Sequence, residues 1–177
     1  MKKSKNKNNN QSPSACPSKP WRSRDSAGSS TALKICKQVS QIYDWLDSQI
    51  KSMNVECQTC GKCCNFDAFG HKLFITTPEL LYFKKNIVIS SEVPINRDGA
   101  EKSIQKNICP YLKDGKCAAR NFRFAGCRIF FCKADSEKIN KLSEQAIEKF
   151  KTLCDEYNFP YRYVNLATAL NKFDLSF

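Results

Sequence analysis

The cysteines are the residues of this sequence best suited to do chemistry. The chain has 177 residues, among them 11 Cys and a single His. Eight cysteines form two groups, the first with C-x2-C-x2-C-C spacing: Cys57, Cys60, Cys63 and Cys64, and then Cys109, Cys117, Cys127 and Cys132. Two-residue spacing lets successive thiolates converge on one metal ion. The sequence therefore predicts a metal site built from these eight thiols.

Disulfide bonding is the competing explanation for so many cysteines, and three features disfavour it. The basic start of the chain is not followed by the apolar run of about 7 to 15 residues that a secretory signal needs. The number of cysteines is odd, and the adjacent pair Cys63 and Cys64 is poorly placed to bond within itself. We therefore expect a cytoplasmic protein whose thiols are reduced or bound to metal.

Three cysteines and the histidine are left out of the predicted ligand set. Cys36 and Cys154 fall in helical patterns, where packing as small apolar side chains suffices, and Cys16 lies in the N-terminal segment. His71 follows the first group closely, but eight thiols already supply two four-coordinate centres. We expect His71 to be a loop or partly packed histidine instead of a ligand.

Several cations lie within four residues of these cysteines and would favour thiolate over thiol. Five such cations are Lys62, Lys116, Arg123, Arg128 and Lys133. Arg128 directly follows Cys127, so it is the cation that the sequence singles out for this role.

The elements that must position the cysteines are predicted to be mostly helical. Apolar residues recur every three or four positions over 32–53, and again from Ser136 to just before Pro160. A third, short helix is predicted from Glu79 to about Lys85, because Thr76 and Glu79 have the spacing of a capping box.

The other segments are short or irregular. Residues 87–94 form a brief β-branched run, 109–132 are loop-rich with a turn at Lys113-Asp114-Gly115, and a final short helix is predicted over 161–173. The predicted fold class is α+β, a mostly helical, irregular small domain with long cysteine-rich loops, stabilised by metal. Because 109–132 shows little apolar periodicity, we expect metal binding to order it.

The chain divides into a basic tail and one domain. Residues 1–30 are rich in Lys, Asn, Ser and Pro and are predicted to be disordered, whereas 31–177 are predicted to form the metal-binding domain. Residues 1–34 hold eight Lys and Arg and one acidic residue, Asp25, so the tail carries much of the net charge of +12. No stretch reaches the roughly 18 apolar residues that a transmembrane helix needs.

Beyond the cysteine spacing, the residues around the cysteines follow a known pattern. The pattern comprises 57–64, the run Cys109-Pro110-Tyr111-Leu112, the run Asp114-Gly115-Lys116-Cys117, and Arg123 with Cys127-Arg128 and Cys132. Over 55–133 the chain thereby resembles the YkgJ-type cysteine-cluster family, which is described as a zinc- or iron-chelating domain. The resemblance implies metal binding by the eight cysteines. Ala118, Ala119 and Arg120 replace the family's usual Ile-Tyr-Glu, and Phe124 stands where Pro is usual.

Two kinds of cofactor suit ligation by thiolates alone, an iron–sulfur cluster or tetrahedral zinc. The scarcity of histidine and the Cys109-Pro110 pair favour iron narrowly, since bacterial ferredoxins use a remote Cys-Pro ligand. Cys-x2-Cys pairs from separated segments are also typical of structural zinc. Both cofactors stay open at this point.

Three classes of function follow from the sequence. The first is a redox or metal-chelating protein. The second is an accessory or binding module without catalysis, in which zinc holds a recognition surface of aromatic and basic residues: Phe122, Phe124, Phe130, Phe131, Arg123 and Arg128. The third is nucleic-acid binding through the basic tail, whose affinity would fall steeply with salt. No phosphate loop or nucleophile elbow is present, so any enzymatic activity would have to use the metal.

Overall fold

Helices and two small β-sheets build the part of the chain that the computed structural model describes, residues 26–55, 57–66, 70, 72–89, 108–130, 136–166 and 169. In chain order the elements are α1 (Ser26–Ser52), β1 (Phe74–Thr76), α2 (Thr77–Ile89), β2 (Leu112–Lys113), β3 (Lys116–Cys117), α3 (Ala125–Ile129), α4 (Ser136–Glu156) and β4 (Tyr163–Asn165), with 3-10 turns at Lys62–Cys64 and Arg120–Phe122. The prediction of a mostly helical α+β fold is confirmed.

The two long helices were predictable because each buries one apolar stripe. Residues three and four apart lie on the same face of a helix, and on α1 and α4 these positions are the buried ones. α1 begins at Ser26, so residues 26–30 are helical and do not belong to the predicted tail. Residues 1–25 lie outside the described part of the chain.

Two of the shorter predictions need correction. The capped helix α2 extends from Thr77 to Ile89 and takes in the start of the β-branched run predicted over 87–94. The predicted final helix over 161–173 is wrong at its start, because Tyr163–Asn165 is strand β4, paired antiparallel with β1. The amide of Leu166 also donates to the carbonyl of Leu73, at 2.8 Å. A short apolar run in a sequence does not distinguish a helix from a strand. Here the pairing with β1 makes residues 163–165 a strand.

Two hydrophobic cores meet at the short helix α3. The helical core lies between α1, α3 and α4 and contains Ile35, Val39, Tyr43, Leu46, Ala125, Ile129, Leu142, Ala146, Phe150 and Leu153. The cysteine-side core contains Phe66, Leu73, Ile75, Leu80, Phe83, Ile87, Tyr111, Ala119, Phe124, Leu166 and Ala169, and Cys109, Cys117 and Cys127 pack against it. Because α3 contributes to both cores, its position determines where Cys127 lies.

A buried carboxylate, Glu79, links the elements around this helix. Glu79 is 2 % exposed and accepts four hydrogen bonds. Its Oε2 accepts from the backbone N–H and the hydroxyl of Thr76, both at 2.8 Å. Its Oε1 accepts from the Tyr43 hydroxyl at 3.2 Å and from the Ala125 N–H at 2.6 Å. The bond from the Thr76 amide is the one expected of a capping box.

Burial and hydrogen bonding act in opposite directions on the Glu79 carboxylate, and burial is the larger effect, so the pKa of Glu79 is raised overall. Burial raises the pKa of Glu79, and the donors on Ala125, Thr76 and Tyr43 oppose that shift by stabilising the charged form. Burial and the neighbouring Glu79 also raise the pKa of Tyr43, which keeps its hydroxyl protonated and able to donate.

Within the described residues, no helix is sufficiently long and apolar to cross a membrane.

Removing the hydroxyl of Tyr43 tests this junction. We expect Tyr43→Phe to lower the free energy of unfolding by about 1.5 kcal/mol. This is the low end of the range for a hydrogen bond to a charged group, and it applies because three other donors to Glu79 remain. Tyr163→Phe is the control, since that side chain is 47 % exposed. Urea denaturation measures both variants, and equal losses would contradict the role of the Tyr43 hydroxyl.

Candidate metal centre

Seven of the eight predicted metal ligands line one cavity of about 330 Å³. They are Cys57, Cys60, Cys63, Cys64, Cys109, Cys117 and Cys127. The eighth, Cys132, lies outside the described residues, as do His71 and Cys16. Cys36 and Cys154 are buried in helices away from this cavity. All nine cysteines in the described ranges are free thiols.

The first cysteine group lies on a loop with an unusual backbone. Gly61 has a φ of 69°, and the β-branched Thr59 has a φ of 52°, a conformation that is rare for its residue type. The Cys64 amide donates to the Gly61 carbonyl at 2.9 Å and closes the 3-10 turn. This turn presents Cys63 and Cys64 to the cavity side by side.

The hairpin β2–β3 positions part of the second group. Its turn, Asp114 and Gly115, has φ values of 49° and 72°, which confirms the turn predicted at this place. Gly61 packs directly against the carbonyl of Gly115, and a Cβ on Gly61 would also lie 2.8 Å from Leu112 Cδ1. Only glycine fits there, so the first cysteine loop docks closely on the hairpin.

Backbone pairing joins the two cysteine segments. The Cys109 amide donates to the Cys64 carbonyl at 2.7 Å, and Asn65 and Ile108 form an isolated antiparallel bridge. The Cys64 thiol forms hydrogen bonds with the thiols of Cys63, Cys109 and Cys117. The two groups of four seen in the sequence are therefore not separate in space, because thiols of both segments meet at Cys64.

Contact between thiols shifts their pKa values in opposite directions. The hydrogen bond to Cys64 lowers the pKa of Cys63 to about 6 and that of Cys117 to about 7, with Arg123 contributing to both. Its bonds to Cys109, Cys117 and Cys63 raise the pKa of Cys64. These shifts favour the thiolate form of Cys63 and Cys117 and the thiol form of Cys64. Burial raises the pKa of Cys127 well above its usual range.

Two arginines line the cavity, and the sequence identified one of them. Arg123, predicted as a neighbouring cation, helps lower the pKa values of Cys63 and Cys117. Arg120 was missed, yet its Nη1 lies 4.0 Å from Cys57 Sγ. Its position three residues after Cys117 is the sequence signal that points to this role. Among the lining residues that the structure describes there is no carboxylate, and Arg120 and Arg123 supply positive charge beside the thiols.

Arg128 does not have the role that its position next to Cys127 indicated. Its Nη1 forms an ion pair with Asp47 Oδ2 at 2.5 Å, in which the arginine is buried and the aspartate is about half exposed. Its Nε and Nη2 donate to the carbonyls of Arg123 and Asn121, at 2.8 and 3.1 Å. Its guanidinium also stacks over the Tyr43 ring, 4.3 Å from the centroid. Arg128 therefore anchors α3 to α1 and is not a cation for the thiols.

The remaining wall of the cavity is largely apolar and aromatic. Its members are Phe66, Leu73, Phe83, Tyr111, Phe124, Phe130 and Leu166. Phe124 is buried against Phe83, with ring centroids 4.7 Å apart. Two residues of the predicted recognition surface, Phe124 and Arg128, are thus buried, and Phe131 lies outside the described residues.

The donor set suits a soft metal, although the thiols are not placed as a finished coordination sphere. In the ranges that the structure describes, no three His, Cys, Asp or Glu side chains form a group that could hold an ion as they stand. Thiolate is nonetheless the preferred donor for zinc and for iron–sulfur clusters.

The close approach of Gly61 to the hairpin gives a stability prediction. Gly61→Ala should cost the positive-φ penalty and about 1 to 3 kcal/mol more for overpacking against Gly115 and Leu112. Gly70→Ala is the matched control, because Gly70 has a φ of 63° and open space around it. If thermal or urea unfolding gave both variants the same loss, close docking of the loop would be contradicted.

Comparison with known proteins does not add to the geometry. The chain matches no protein-family model, and neither the curated proteins nor the solved structures searched contain a match. The resemblance to the YkgJ-type family therefore stays a prediction that depends on the cysteine spacing and its neighbouring residues.

Proposed function

We propose that this chain is an intracellular metal-binding protein that holds an iron–sulfur cluster or zinc through clustered cysteines. The proposed ligands are Cys57, Cys60, Cys63, Cys64, Cys109, Cys117, Cys127 and Cys132. One observation carries the proposal: seven of them, drawn from segments 45 or more residues apart along the chain, line the same cavity. Ordinary packing of buried cysteines gives no reason for such convergence.

The chemistry of the donors limits which metal is suitable. Thiolates favour zinc and iron–sulfur clusters over magnesium and calcium, which prefer oxygen ligands. Among the described residues that line the cavity there is neither histidine nor carboxylate, and His71 lies outside the described part of the chain. The narrow preference for iron depends on the scarcity of histidine and on the Cys109-Pro110 pair. A bound cluster would supply one-electron transfer, whereas zinc would act as a structural cross-link.

The surroundings of the thiols favour binding of an anionic metal–thiolate centre. Arg120 and Arg123 provide positive charge beside the cysteines, which offsets the charge of the thiolates. The apolar and aromatic side chains on the remaining wall lower the local dielectric constant, which strengthens these electrostatic interactions. The protein thus provides both the donors and the compensating charge.

The alternative functions have less support. A zinc-held recognition surface would lose Phe124 and Arg128, which are buried. Nucleic-acid binding depends on the basic tail, and residues 1–25 lie outside the described part of the chain. A redox or metal-chelating role therefore stays the proposed function. The alternatives are an accessory binding module and nucleic-acid binding through the basic tail, and binding assays would distinguish them.

Anaerobic purification followed by metal and sulfide analysis and an absorption spectrum tests the proposal. We expect bound iron with sulfide and visible absorbance, or else colourless protein with zinc. Two zinc ions per chain without colour would support the structural form and exclude the redox form. A wild-type protein free of both metals after reconstitution would contradict metal binding.

A single substitution tests whether the convergent thiols are responsible. Cys64→Ser should lose most of the metal, because Cys64 contacts three other predicted ligands. Cys36→Ala and Cys154→Ala are controls, since both thiols are buried away from the cavity, and they should keep the wild-type metal content. Equal metal loss in the controls would indicate an effect on folding instead of ligation.

A further inference from the structure

We infer that Glu79 is a positioning residue for the thiol centre, and that its carboxylate holds the helix carrying Cys127 in place whether or not metal is bound. The link to metal rests on the proposed function, because it treats Cys127 as a ligand. The positioning itself rests on contacts within the protein.

The decisive contact joins Glu79 to the first residue of α3. The Ala125 amide donates to Glu79 Oε1 at 2.6 Å, across 46 residues of sequence. The first amides of a helix have no partner inside it, and negative charge is favourable at that end. Cys127 follows two residues later, so the carboxylate acts within one turn of the thiol.

Helix α3 needs such external anchors because it is only five residues long. A helix this short is not stable by itself in water. Glu79 anchors its start, whereas Arg128 anchors its other end through Asp47 and two backbone carbonyls. Ala125 and Ile129 add burial in the helical core. Cys127 is held between the two polar anchors.

Capping of α2 does not account for the whole environment of Glu79. An N-terminal cap needs only the bonds to Thr76, which use one carboxylate oxygen, and such residues are usually at the surface. Here the carboxylate is buried at 2 % exposure, which is costly unless the charge is fully hydrogen-bonded. The second oxygen accepts from α1 and α3, and these bonds explain why a buried acid is present at this position.

Cys127 is the ligand for which this anchoring matters most. Among the seven described candidates it is the one carried by an α-helix, and the others lie on the loop, the 3-10 turn, the hairpin or next to the hairpin. Thiols from both segments line the same cavity as Cys127, among them Cys63, Cys109 and Cys117. A Cys127 thiol held in a fixed position would be one constant ligand, around which the loop cysteines could bind the same metal.

Site-resolved alkylation of the metal-free, reduced full-length protein tests this inference. Glu79→Gln should raise the alkylation rate of Cys127 at least tenfold, measured by mass spectrometry of peptides. Cys36 and Cys154 report on general loosening of α1 and α4, and their rates should stay at the wild-type level. Thr76→Val is the matched control, because it removes one donor from the other carboxylate oxygen and leaves Ala125 bound. It should leave the Cys127 rate unchanged.

Ala125→Pro is a second variant that keeps Glu79. It removes the amide donor, and its ring carbon also displaces the carboxylate that lies 2.6 Å from this nitrogen. Proline is well tolerated at the first position of a helix after an extended residue, as Phe124 is here. We expect it to reproduce the selective exposure of Cys127. The inference is overturned if either variant exposes Cys36 and Cys154 as much as Cys127, or if Thr76→Val has the same effect.

Metal titration of the same proteins separates the two proposals. If wild-type protein binds metal, Glu79→Gln should weaken its affinity about 10- to 100-fold, as is typical when a residue supporting a ligand is changed. Unchanged affinity would overturn the link to the metal centre. If wild-type protein binds no metal, the proposed function fails, whereas the alkylation rates still decide whether Glu79 positions Cys127.

Discussion

The buried carboxylate of Glu79 joins three helices, α1, α2 and α3, whose relative positions must be kept for the thiols to converge. It binds α1 through Tyr43, the start of α2 through Thr76, and α3 through Ala125. Burying a charge is unfavourable unless every lone pair has a donor, and here four donors meet that need. The same constraint makes the junction intolerant of change, because loss of one partner leaves a buried charge less well compensated.

The thiols themselves are held in two physically different ways. Cys127 lies on a helix that packs into the helical core and is anchored at both ends. Cys57 to Cys64 lie on a loop with two positive φ angles, held by its docking on the hairpin and by the Cys109–Cys64 backbone bond. Part of the site is therefore supported by ordinary packing, and part depends on contacts between the two cysteine segments. The buried Tyr111, Phe124 and Ile129 give 109–130 more apolar anchoring than its sequence pattern indicated.

The features that the sequence predicts well are those decided by neighbouring residues. The apolar stripes of α1 and α4, the turn at Asp114-Gly115 and the Thr76–Glu79 cap all depend on spacings of four residues or fewer. The features it does not predict depend on distant partners. Arg128 pairs with Asp47, 81 residues away, β4 is a strand because β1 is available to it, and Ala125 binds Glu79. The mixing of the two cysteine groups at Cys64 likewise depends on the path of the chain between them. The cysteine spacing predicted the candidate ligands, but not which of them meet.

X-ray absorption spectroscopy at the edge of the bound metal tests most directly whether the convergent thiols are ligands. The account predicts a first shell of sulfur alone, at about 2.3 Å if the metal is zinc. An iron–sulfur cluster would add iron neighbours beyond that shell. A first shell dominated by nitrogen or oxygen, in protein shown to be fully loaded, would contradict a thiolate centre.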